Sequence, residues 1–304
     1  MFKQLEINPN FQYTEGENYS IDISPLNSDI VICTNNKCNI YSKSNFLSKE
    51  EELIPQNKEI IESKDDFIYS KFSRDGKFLY TSDYEYQIKK YSTEENKYDL
   101  LQTFKPGNLK NWKFSLSKDN KYLVTGSYNI ILYNTNDSNK EKEISNNSRF
   151  IYSYCFLPNN KLAVGNSNGS VHIINLENSK IEKKIEEHCM IVRCLAYNEE
   201  KNILLTASDD LHINLIDLKT YKLMSPIVGH NDYISQMIFN ENKQILFTCS
   251  FDGNIKAFDF KKNNICFATL SEGKDNILWD IGVSDDANFI CSIGENKLSA
   301  YSFI

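Results

Sequence analysis

Residues 205–219, LTASDDLHINLIDLK, and residues 247–261, FTCSFDGNIKAFDFK, carry one pattern twice, 42 positions apart. In each, an apolar run meets a short polar turn, and an alternating run then closes on a large residue followed by aspartate: Ile216-Asp217 and Phe258-Asp259. Searching outward, the closing run recurs as CNIYS (38–42), IKKYS (88–92), IILYN (130–134), VHIIN (171–175), INLID (213–217), IKAFD (255–259) and LSAYS (298–302). Its closing residues are Tyr41, Tyr91, Tyr133, Ile174, Ile216, Phe258 and Tyr301, with separations of 50, 42, 41, 42, 42 and 43. Intervals this regular mark an internal repeat.

Inside one interval the runs YISQMIF (233–239), ILFTCS (245–250), IKAFDF (255–260) and ICFATL (265–270) are split by turns rich in Asn, Asp, Gly and Lys. Alternation over such lengths reads as half-buried antiparallel strands, and no window of a dozen residues sustains a helical period. Four strands per unit of about 42 residues is the pattern of a propeller blade. The expected fold is all-β: a single seven-bladed β-propeller over 1–304. The last unit ends after its third strand, and residues 2–7, FKQLEI, alternate. They are expected to supply its outer strand and close the ring, which removes an exposed edge. The widest interval places an insertion at 45–58, NFLSKEEELIPQNK, expected to be a solvated loop.

Blades five and six carry His188, Ser208 and Asp210, then His230, Ser250 and Asp252, and Gly229-His230 forms a Gly-His dipeptide. These residues resemble the WD-repeat family. The resemblance implies a structural network in which the loop histidine donates to the turn aspartate and the serine links that pair to the third strand. In that family the network ends on a tryptophan; Ile216 and Phe258 stand there in this chain. Other turns hold Glu85, Asn168 and Glu295, so period and strand pattern support the architecture more than the motif does. LLTASDDLHINLIDLK, LKNWKFSLSKDNKYLVTGS and ILWDIGVSDDANFICSIGENKLSAYSFI are similar to the small WD-repeat subunits of superkiller complexes. That likeness, weakest in blade one, implies a non-enzymatic scaffold supporting exosome-mediated 3′–5′ mRNA decay, monomeric within a hetero-complex. Its implied partners are tetratricopeptide-repeat and helicase subunits and, in transcription elongation, the polymerase-associated factor complex. Cytoplasm and nucleus are the implied locations. Another WD-repeat adaptor, such as a ubiquitin-ligase substrate receptor or signalling scaffold, is the alternative.

The two tryptophans occupy one register. Four positions before the penultimate large residue of each first strand stand Ser235, Arg193, Tyr152, Trp112, Trp279, Ile68 and Tyr19; six before stand Tyr233, Ile191, Phe150, Lys110, Ile277, Asp66 and Glu17. First strands of a propeller are innermost, so these side chains are expected on one rim, joined by the residues before each turn acid: Tyr84, Asp209 and Phe251. Aromatics grouped with arginine make a protein-binding hot spot. The partner-binding surface is therefore read as Trp112, Trp279, Tyr19, Tyr84, Phe150, Tyr152, Arg193, Asp209, Tyr233 and Phe251. Some of these aromatics plugging the channel is the competing reading.

A net charge of −7 argues against a direct nucleic-acid partner, since phosphate contact needs a basic surface. Eight cysteines show no metal-ligand spacing and sit mostly in apolar runs, where they are expected to act as buried hydrophobes in a reducing compartment. No apolar stretch of about 18 residues suits a membrane span, and MFKQLEINPN lacks a signal segment. No catalytic residue, cofactor or metal is expected: a propeller hydrolase would gather carboxylates at its strand starts, where this chain places aromatics.

Overall fold

The computed structural model describes residues 2–7, 19–47, 59–94, 97–106, 113–137, 139–147 and 149–303. They form seven antiparallel meander sheets in chain order, spanning 19–62, 67–104, 115–145, 151–185, 192–228, 234–271 and 278–303. These are the blades of a seven-bladed β-propeller fold. The chain divides into two compact units: 1–105 with 275–304, holding blades 1, 2 and 7, and 106–274, holding blades 3 to 6.

In the first unit, Phe2–Leu5 pairs antiparallel with Leu298–Phe303, from Phe2 opposite Phe303 to Leu5 opposite Ala300. The chain's first strand is thus the outer strand of its last blade, as the alternation in 2–7 predicts. The ring of Phe2 lies 5.0 Å from Phe303. First strands of neighbouring blades are tied by polar groups. Asp280 accepts from the Ser20 hydroxyl and the Ile21 N–H, both at 3.1 Å, and Ser70 N–H donates to Ser20 Oγ at 3.1 Å.

The insertion departs from expectation. Lys43–Phe46 is a helical turn, capped by Ser42 accepting from Asn45 N–H, with Phe46 fully buried. Phe46 joins the core of Ile21, Ile23, Tyr41 and Phe289, so the start of this segment is an anchor rather than solvated loop. Residues 48–58 lie outside the described residues.

A second correction concerns the cysteines. Cys33 and Cys38 face each other across a hairpin and form a disulfide, because direct cross-strand partners bring their Cβ atoms together. The other six cysteines lie outside that disulfide, and Cys189 and Cys266 are exposed.

In the second unit, one core joins blade five (Ala196, Leu205, Ala207, Leu215) to blade six (Ile234, Met237, Leu246, Phe258, Phe260). Ile216 packs on Leu157, Ala163 and Ile173 of blade four. Ile216 and Phe258 are each 1% exposed. Burying such side chains stabilises by about 1.5–3 kcal/mol each, so plain packing holds the positions where the family carries tryptophan.

Candidate protein-docking surface

Blades 5 and 6 hold matching polar networks. His188 Nδ1 lies 2.9 Å from Asp210 Oδ2, and its Nε2 lies 2.7 Å from Thr206 Oγ1. His230 repeats this with Asp252 at 3.1 Å and Thr248 at 2.8 Å. A neutral ring satisfies both ends when Nδ1–H donates to the carboxylate and the threonine hydroxyl donates to Nε2. Burial pushes the Asp210 and Asp252 carboxyls up, but the histidines and backbone N–H groups outweigh it and hold both below the usual carboxylate range.

The serine role expected from sequence needs correction. Ser208 donates to Met190 O and accepts from Asp210 N–H, and Ser250 does the same with Asp232 O and Asp252 N–H. The serines therefore tie the turn to the loop before strand one. The link to strand three comes from Asn214 and Lys256, which donate to Glu187 O and Gly229 O. The threonines were missed, although Thr-x-Ser-x-Asp appears in both copies.

Equivalent positions elsewhere carry different chemistry. In blade 4 the histidine moves to strand three: His172 Nδ1 lies 2.8 Å from Asn146 Oδ1, and Asn146 donates to Asn166 at 2.6 Å. Burial lowers the His172 pKa to about 4, with Lys184 and Arg149 adding to the effect. In blade 2, Lys89 and Ser63 donate to the buried Asp83 at 2.9 and 3.2 Å.

Two backbone features recur at the start of the first strand. The first strand carries a bulge that leaves one residue unpaired, and in five blades this residue is Ile68, Tyr152, Arg193, Ser235 or Trp279. A bulge re-aims the side chain it frees. Second, the residue after strand two donates its N–H to the carbonyl two positions before that bulge. The pairs are Tyr84 to Asp66, Ser167 to Phe150, Asp209 to Ile191, Phe251 to Tyr233 and Glu295 to Ile277. Hairpin tip and strand start are thus pinned together in each of these blades.

In the second unit this brings side chains of three consecutive blades onto Arg193. Its Nε and Nη2 donate to the two oxygens of the buried Asp209, the latter at 2.8 Å. The guanidinium carbon lies 5.8 Å from the Tyr152 ring, 5.7 Å from Tyr233 and 5.9 Å from Phe251. Tyr233 and Phe251 pack at 5.9 Å, Phe150 and Tyr152 at 5.1 Å, and the half-exposed Tyr128 meets Phe150 edge-on at 5.4 Å. Each cation–π contact contributes about 0.5–1 kcal/mol at such partly exposed sites, and the bidentate pair fixes the guanidinium plane. Sequence reading named Arg193 and Asp209 separately; it did not pair them, and it missed Tyr128.

In the first unit, Trp279 is 37% exposed and Tyr84 is half-buried. Ser235 differs from its register mates: it is buried and donates to Cys249 O. Tyr19 begins the regular strand Tyr19–Ile23, without a bulge. Trp112, Lys110 and Glu17 lie outside the described residues.

The "WD domain, G-beta repeat" family matches residues 179–217 and 221–259. Each match runs from the outer strand of one blade through the third strand of the next, enclosing one His–Asp network. The chain is also similar to WD repeat-containing protein SL1-17 of Schistosoma mansoni, 29% identical over 117 residues. That stretch covers 38% of this chain and 38% of the relative. The matched repeats centre on two of the seven blades, and both they and this likeness are to WD-repeat proteins, in agreement with the β-propeller fold.

Proposed function

We propose that this protein is a non-enzymatic scaffold that grips segments of other proteins with the surface around Arg193. The observation that carries the reading is the partly exposed ring cluster that Tyr128, Phe150, Tyr152, Tyr233 and Phe251 form with that arginine. Aromatics with arginine, backed by rigid strands, are the composition of an interface hot spot. A WD-repeat propeller is in general a protein-interaction scaffold.

Within that class we assign it as the WD-repeat subunit of a superkiller-type complex, supporting exosome-mediated 3′–5′ mRNA decay in the cytoplasm. Its partners are then a tetratricopeptide-repeat subunit and a helicase, and in the nucleus the polymerase-associated factor complex. Support comes from the three co-linear segments over blades two to seven and from the acidic charge, which suits a subunit that leaves RNA contact to others. Affinity purification of the tagged chain with mass spectrometry tests this. A large tetratricopeptide protein and a helicase are expected. Recovery of a ubiquitin-ligase adaptor without either of them overturns the assignment.

A further inference from the structure

We propose that the Arg193 surface recognises an internal aspartate or glutamate of a partner segment, set beside a large apolar residue. This rests on the scaffold reading above. The chain contains three arginines, Arg74, Arg149 and Arg193, against 31 lysines. Arginine, unlike lysine, offers a planar fork matched to carboxylate. Asp209 occupies one edge of the Arg193 fork, through Nε and Nη2. Among the described residues nothing accepts from Nη1, while the side chain keeps 27% exposure. The Tyr128, Tyr152 and Tyr233 hydroxyls likewise have no hydrogen-bond partner among the described residues. Arg149, exposed, stands directly before Phe150.

The surface therefore keeps Arg193 Nη1 as a charged donor without an acceptor among the described residues. Asp209 spends both oxygens on Arg193, and Asp232 Oδ1 accepts the Tyr233 N–H at 2.7 Å, which leaves Asp232 Oδ2 open. A basic segment would leave the Arg193 Nη1 donor unmatched. A carboxylate can accept from Nη1 and a tyrosyl hydroxyl together, and charge-assisted bonds of this kind are about twice as strong as neutral ones. Rings from both neighbouring blades meet the guanidinium, Tyr152 from blade 4 and Tyr233 and Phe251 from blade 6, and Phe150 packs on Tyr152. A segment crossing the site meets rings before and after its acid. A chain terminus would fill one side alone, which favours an internal residue.

The test is an array of random 12-residue peptides, one set blocked at both ends and one ending in a free carboxylate, probed with the purified full-length chain. Blocked peptides that bind should be enriched in Asp or Glu next to Phe, Tyr, Leu, Ile or Met. Changing that acid to its amide should weaken binding at least tenfold, as should Arg193→Gln. The double variant Tyr152→Phe/Tyr233→Phe, which removes hydroxyls and leaves the packing, should weaken it several-fold with an unchanged melting temperature. Enrichment of basic residues, binding by free-carboxylate peptides only, binding insensitive to the amide change, or no peptide bound each overturns the proposal. The scaffold reading survives any of these if the affinity purification still yields partners that depend on this face.

Discussion

Lowering the pH from 7 to 5 sets a proton demand on His172 that the folded protein resists. The ring is 3% exposed, donates through Nδ1 to Asn146 Oδ1, and turns Nε2 toward the Ser170 hydroxyl at 3.4 Å. Asn146 commits its amide group to Asn166 and to Arg149 O, so its oxygen must accept, and the neutral ring fits. Protonation would bury a charge opposite Lys184, its cross-strand partner, and near Arg149. The folded-state pKa of about 4 therefore lies below the ordinary 6.5. Between those values the unfolded chain binds the proton more readily, so stability is whole above about pH 6.5, falls as the pH drops, and levels off near pH 4. At about 1.4 kcal/mol per pH unit the full loss is about 3 kcal/mol, of which about 2 kcal/mol falls between pH 7 and 5. The Asp210 and Asp252 carboxyls, held low by their partners, stay ionised across that interval. Urea unfolding at pH 7, 6 and 5 on wild type and His172→Gln isolates the effect, because the amide keeps a neutral side chain facing Asn146. Wild type should lose about 2 kcal/mol more than the variant. Parallel pH dependences would refute the neutral, buried ring.

Three further outcomes follow from the same geometry. His230→Ala leaves Asp252 and Thr248 without their partner and should cost about 3 kcal/mol in urea unfolding, while partner binding is retained; a loss under about 1 kcal/mol would mean the network is dispensable. Gly165→Ala would drive a methyl into Ser153 Oγ and to 2.8 Å from Val192 O, so a loss of about 1–3 kcal/mol is expected, and an unchanged midpoint would contradict the close approach of blades four and five. Trp279→Ala should move stability by under about 1 kcal/mol, since the side chain is 37% exposed. A loss of about 3–5 kcal/mol would instead place it in a core.

The repeat was legible because its signal is periodic: strand alternation and a large closing residue survive wherever a blade buries two faces. The first-strand register shared by five blades was legible for the same reason, since it follows strand length. The bulge that produces it was not, because the extra residue in a bulge can be Ile68, Tyr152, Arg193, Ser235 or Trp279 and leaves no composition of its own. The Arg193–Asp209 pair joins strand one to the tip of the next hairpin, 16 residues apart, and only the fold makes them neighbours. Polar networks were read where they matched a known motif and missed where the same positions had changed chemistry. His172 stands on strand three in the place of Asn214, and Asn146 stands in the loop in the place of His188. The Cys33–Cys38 pairing escaped notice because Cys33 lies in an apolar run, and the facing register depends on where the hairpin turns.

The scaffold account is tested most directly by quantitative mass spectrometry on affinity-purified complexes, comparing wild-type bait with Arg193→Gln/Tyr233→Ala bait of equal abundance and melting temperature. The account predicts that the partners held by the wild-type chain fall at least tenfold on the variant. An unchanged partner set would show that the ring cluster around Arg193 is not where this protein holds others.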